Sequence, residues 1–241
     1  MKHQRLKRAI GWLALGCVVM IVILNGKPSF SSASLPQRGI ADPVVALQVA
    51  QNVREVDGIL GDAPSADREA MRLKQYLDFP FIACYVALYI VLAILFFPGA
   101  RLIAATAAAS GMAAGVFDVR ENLAILRIVD VPLNRTTQAM VDAIRSAGLT
   151  KWTLAFFTTA LFAALFLRDR ETQGPRAKGW GMVWRAIGVV DLLAAALGFY
   201  GLYDNAFLVW ASVLLGVGLM LMLTAFLRVG RSPIHRMRPS A

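Results

Sequence analysis

Asp118, Glu121 and Asn122 stand at i, i+3 and i+4, a spacing that puts all three on one face of a helix. Two carboxyls and an amide on one face can hold and pass a proton, and in a dry pocket they suit general acid–base chemistry. Ala114, Gly115 and Gly111 continue that face over the preceding turns. The pair Gly111 and Gly115 is a small-residue contact at which a neighbouring helix comes close. This face is therefore expected to point into a bundle rather than at lipid. Asp78, Tyr85 and Asp191 complete the set of candidate catalytic residues. For the acids and the amide a structural role competes with the chemical one. If the apolar stretch ends at Phe117, then Asp118, Glu121 and Asn122 lie among headgroups. Asp78, beside Phe79-Pro80, reads as the cap of a helix N-terminus. Asp191 reads as a partner for Arg185 or for another helix.

The elements that must position these residues follow from composition. Of 241 residues, 58% are hydrophobic and 17% charged, against about half and a quarter in an ordinary soluble domain. Such a chain is neither a soluble enzyme, a disordered tail nor a disulfide scaffold. Apolar runs at 9–25, 79–97, 102–126, 152–167, 186–203 and 206–227 approach or reach the roughly 20 residues of a membrane span. The fold class is all-α, a polytopic membrane helix bundle of about six transmembrane helices, or five if the first is a cleaved signal. The stretch 1–25 is an N-terminal anchor or signal. Ser31-Ser32-Ala33 is a poor cleavage site, so a retained anchor is expected.

Between 26 and 77 comes a linker and then an amphipathic helical hairpin. Val45, Val49, Val53, Val56 and Leu60 recur at three and four, which predicts a helix over 44–60. Ser65 is placed to cap a second helix running through Tyr76 into the next span. The bundle proper covers 78–227, with a surface helix at 135–147 capped by Asn134 and ended by Gly148. A basic tail occupies 228–241.

The net charge of +10 invites a nucleic-acid reading, but the positions of the charges argue against it. The start, Arg101, the stretch 168–185 and the tail hold 14 of the 25 basic residues and 2 of the 15 acids. Basic residues abutting apolar runs hold their loops on the cytoplasmic side and attract anionic lipid headgroups. The expected localisation is an inner membrane, multi-pass, with both termini cytoplasmic and 26–77 outside. With that topology Asp78, Asp118 to Asn122, Lys151-Trp152 and Asp204-Asn205 converge on one leaflet, and Asp191 lies alone towards the other. Uncompensated acids at depth are costly, so Lys151 or Arg120 is expected to neutralise part of the cluster.

The two histidines, His3 and His235, fall in the tails, which excludes a haem clamped by two histidines within the bundle. Cys17 and Cys84 are isolated in apolar runs and have no zinc or redox spacing. No phosphate-binding loop or dinucleotide fingerprint is present. The sequence therefore calls for no cofactor and no metal. The segments LQVAQNVREVDGIL (47–60), LDFPFIACY (77–85) and GVFDVRENLAIL (115–126) resemble a group of bacterial multi-span membrane proteins. The likeness covers roughly 44–227. That group carries no assigned activity, so the resemblance implies a fold and no catalytic residue. Two functions remain open. One is a noncatalytic accessory or assembly subunit with a membrane-protein partner. The other is an intramembrane acid–base enzyme or proton-coupled transporter for a lipid-like or isoprenoid substrate, using Asp118 and Glu121.

Overall fold

The computed structural model describes residues 2–26, 30, 40, 42–168 and 178–229. Eight α-helices follow one another in these residues: α1 (Lys2–Asn25), α2 (Pro43–Gln48), α3 (Val53–Leu60), α4 (Ala66–Phe96), α5 (Arg101–Val129), α6 (Gln138–Arg168), α7 (Lys178–Gly201) and α8 (Ala206–Val229). A short 3-10 turn, Leu133–Arg135, precedes α6. Six helices, all but α2 and α3, are long and apolar enough to cross a membrane. The chain is thus an all-α, multi-span membrane bundle.

The six long helices alternate in direction and form a closed ring. α4, α5, α6, α7 and α8 each pack on the next in chain order, and α1 fills the gap between α8 and α4. Small residues permit the close approaches. A side chain at Gly11 would meet Leu227 at 3.1 Å, one at Gly16 would meet the Cys84 sulfur at 3.2 Å, and one at Gly111 would meet Tyr89 at 2.6 Å. Two ends result. The basic end carries Arg5, Lys7, Arg8, Arg101 and Arg168. The opposite end is capped by α2 and α3, which pack on α6 and α4. The loop 169–177, the tail 230–241 and Ser31-Ser32-Ala33, on which the orientation and cleavage arguments rest, lie outside the described residues.

Two helix boundaries differ from those expected. The single helix over 44–60 is two helices. Asn52 adopts an extended backbone and its side chain accepts the Glu55 amide at 3.0 Å, starting α3 afresh. Asparagine favours such caps because its side chain competes with the backbone for helix hydrogen bonds. The apolar period survives the break, with Val45, Val49, Val56 and Leu60 all buried. Second, Gly148 does not end a helix. α6 runs unbroken from Gln138 to Arg168, so the surface helix expected at 135–147 is the first part of a span. A side chain at Gly148 would meet Glu121 Oε2 at 2.9 Å and the Gln48 carbonyl at 3.3 Å. That glycine serves close approach rather than termination. α4 begins at Ala66 with Ser65 as its expected cap, accepting the Arg68 amide at 3.2 Å, and runs through Tyr76 into the span without a break. Pro80 therefore lies inside the helix instead of in its first turn, and Asp78 caps nothing.

The cap is pinned by Arg68, which is 2% exposed. Its guanidinium donates to the carbonyls of Ile128, Val129 and Val131 at 2.7–3.3 Å, and to Gly61 at 2.9 Å. The first three are carbonyls at the α5 C-terminus and just beyond it, which a basic side chain can satisfy, and the fourth follows α3.

Candidate functional site

The face of α5 that carries Asp118, Glu121 and Asn122 is turned inward. Their exposures are 6%, 0% and 1%, so the headgroup reading of these residues does not hold. α5 continues for eight residues beyond Glu121, and α2 and α6 cover this turn. Lys151 of α6, 7% exposed, lies between the two carboxyls. Its Nζ stands 3.1 Å from Asp118 Oδ1 and 2.8 Å from Glu121 Oε2. Both are ion-pair contacts rather than well-angled hydrogen bonds, and Glu121 Oε1 has no hydrogen-bond partner among the described residues. Lys151 also sits 5.1 Å from the Trp152 ring centroid. Of the two cations expected here, Lys151 is the counterion. Arg120 faces away and lies over the Phe117 ring.

α4 supplies the rest. Tyr85 donates its hydroxyl to Asp118 Oδ2 at 2.9 Å, and Asn122 donates to Asp78 Oδ2 at 2.8 Å. Close packing of α4 on α5 makes both bonds possible, since a side chain at Gly115 would fall 2.5 Å from Val86. Above the cluster, Trp152 donates from its indole to Gln48 Oε1 at 3.0 Å, tying α2 to α6. The cluster thus holds three carboxyls, Asp78, Asp118 and Glu121, around one lysine. A second cation, Lys74 of α4, lines the same cavity as this cluster.

A cavity of about 590 Å³ runs down the axis of the ring, with walls from α1, α2 and α4 to α8. Asp78, Tyr85, Asp118 and Lys151 line its upper part. Glu121 does not line it and sits behind Lys151. Farther down the walls turn apolar and aromatic, with Tyr89 and Phe162 stacked at 5.6 Å. Asp191 lines the same cavity. It is 3% exposed and has no hydrogen-bond or ion-pair partner among the described residues. The pairing with Arg185 is not formed. Asp191 instead lies against Gly218 of α8, where any side chain would collide with its Oδ1.

The expected convergence is accordingly partial. Asp78, Tyr85, Asp118, Glu121, Asn122 and Lys151 meet, whereas Asp204 is exposed and bonds the Ala206 amide in the α7–α8 turn. Gln48, Tyr89, Phe162 and the Gly216–Gly218 pair escaped sequence reasoning. The glycines were a readable signal, being small residues in an otherwise bulky span, but Asp191, which lies against Gly218, could not be read locally. Among the described residues no group of three or more histidine, cysteine or acidic side chains could hold a metal ion.

The fold and this interior define a class, the multi-span helical membrane protein with a charged internal cavity. No family model matches the chain, and neither a curated protein nor a solved structure matches it.

Proposed function

We propose that this chain binds a lipid-like or isoprenoid molecule in its central cavity and handles a proton at the Asp118–Lys151–Glu121 end, as an intramembrane acid–base enzyme or proton-coupled transporter. The observation that carries this reading is the shared wall. One cavity of about 590 Å³ joins an ion-paired acid cluster to a long apolar stretch, and ligand sites are usually mostly apolar clefts of roughly 300–1,000 Å³ with a few polar groups. Asp118 faces the cavity and accepts the Tyr85 hydroxyl, so a proton can pass between that carboxyl and a bound molecule. Entry from lipid is favoured between α1 and α8. Near the basic end these helices touch at Gly11 and Leu227, whereas towards the capped end Ile21, Leu24, Val209 and Val213 line the cavity instead.

The membrane is a bacterial inner membrane in this reading, with the basic end cytoplasmic and α2 and α3 outside, on the strength of the basic-residue asymmetry. A second reading, a noncatalytic accessory or assembly subunit, draws on one observation: both Asp118 and Glu121 are already paired with Lys151, as a purely structural ion cluster would be.

Native mass spectrometry of the purified protein in lipid nanodiscs separates the two. We expect a small amphiphile to co-purify and to be lost in Gly216→Leu. Gly216 lines the cavity, and a Cβ placed there meets no atom within 4 Å, so the variant extends a side chain from an open position. A protein that carries no amphiphile, with Gly216→Leu indistinguishable from it, would favour the accessory subunit.

A further inference from the structure

Asp191 is the buried acid that the ion-paired cluster leaves out. Its depth can be read from contacts between helices. Glu121 meets Lys151, Ser110 bonds Thr158 at 2.7 Å, and Gly188 abuts Ala163 and Leu167 while Gly198 abuts Phe156. Asp191 is therefore level with about residue 161 of α6, ten residues from Lys151, or roughly 15 Å at 1.5 Å per residue. The space between is mostly apolar and aromatic, with the hydroxyl side chains of Thr159 and Ser212 also in its lining.

Each acid of the upper cluster has a partner. Asp118 and Glu121 share Lys151, and Asp78 accepts from Asn122. Asp191 has none, although it is 97% buried and opens on a cavity large enough for a small amphiphile. A buried carboxylate without a partner is strongly unfavourable, and a cationic group brought by a ligand would relieve it. Tyr89 and Phe162, stacked on each other in the same cavity, offer ring faces of the kind that attract organic ammonium groups. Lys151 and Lys74, the lysines that line this cavity near the cluster, would repel an ammonium group held beside them, and Lys151 is already engaged by two acids.

We propose that the cavity recognises a hydrophobic amine, with its ammonium group against Asp191 and its hydrocarbon body in the apolar stretch below the Asp118–Lys151 cluster. The proposal rests on the cavity being a ligand site, and it names the chemical class of the ligand.

Chain-matched probes test it: n-octylamine, n-octanol and n-octanoate, titrated by calorimetry into the full chain held in detergent-free polymer. Octylamine should bind at least tenfold more tightly than the other two. Asp191→Asn should lose at least tenfold in octylamine affinity and leave octanol affinity unchanged, the retained octanol binding showing that the variant is folded. If Asp191→Asn fails to fold, Gly218→Ala provides the second variant. Its methyl group displaces the Asp191 carboxyl and should weaken octylamine selectively. Equal binding of amine and alcohol, preference for octanoate, or full amine affinity in a folded Asp191→Asn overturns the amine assignment while leaving the cavity reading standing. Binding of none of the three, by a protein that also carries no co-purified amphiphile, overturns both.

Discussion

At the basic end the ring of six helices is filled, and at the capped end the same ring is hollow. Phe96, Phe166, Trp184 and Phe226 meet edge to face or tilted, with centroids 5.1–5.8 Å apart. Ile10, Ala14 and Ala225 close around them. Edge-on aromatic contacts add to what burial alone contributes, and the result is a plug. Beyond Phe162 no such plug exists. There the helices enclose charged groups and open volume beside a second apolar core that includes Phe156, Leu208 and Ala211, and Arg68 ties the cap to the end of α5. The contrast teaches that one half is closed by aromatic packing while the other keeps an internal cavity.

Substitutions in the two halves should break or sharpen this contrast. The largest effects are expected from Lys151→Met and Phe166→Ala, each by about 3–5 kcal/mol but by different physics. The first strands Asp118 and Glu121 as buried acids without a counterion. The second leaves a void in the plug. Thermal unfolding would measure both. Glu121→Gln should partly rescue Lys151→Met and have no effect on Phe166→Ala. Rescue of both would mean that the halves are not independent.

Next, Gly115→Leu forces a side chain into Val86 across the α4–α5 contact and should cost roughly 1–3 kcal/mol by overpacking. Because Tyr85 and Asp118 belong to the same contact, their hydrogen bond should be disturbed with it. Smaller again is Gly216→Leu, whose change in stability should stay within about 0.5 kcal/mol, since the new side chain enters open space. A loss comparable to that of Gly115→Leu would mean that the capped half is packed like the plug.

The smallest effect concerns Asp62, at the surface of the cap. Its carboxylate accepts the Leu133 and Ala63 amides at 2.9 and 2.8 Å, bonds that hold its pKa below the ordinary value. A depressed pKa in the folded state adds stability above the ordinary aspartate range and removes it as pH falls through the depressed value. Asp62→Asn should flatten the acid limb of the melting-temperature curve by a small amount and leave the neutral plateau nearly unchanged.

The sequence by itself determined the local patterns. Apolar runs marked six spans because a helix crossing hydrocarbon must be apolar over most of its length. The spacing of Asp118, Glu121 and Asn122 put them on one face because helical periodicity is a property of the backbone. Gly111 and Gly115 marked that face as a helix contact, and Ser65 announced the start of α4. Helix ends were less legible. Asn52 divided a stretch whose apolar period was unbroken, and Gly148 sat within α6, because capping and close approach use the same small residues.

Tertiary structure decided what those faces meet. Lys151 rather than Arg120 became the counterion because α6 runs unbroken past Gly148 and carries its lysine into the ring. Asp191, expected to stand apart from the cluster at another depth, shares a cavity with it because α8 closes the ring on α1. No periodicity records that closure. It depends on which helix faces are left to pair after the others have packed, so the plug, the cavity and the unpartnered acid within it exist only in the assembled ring.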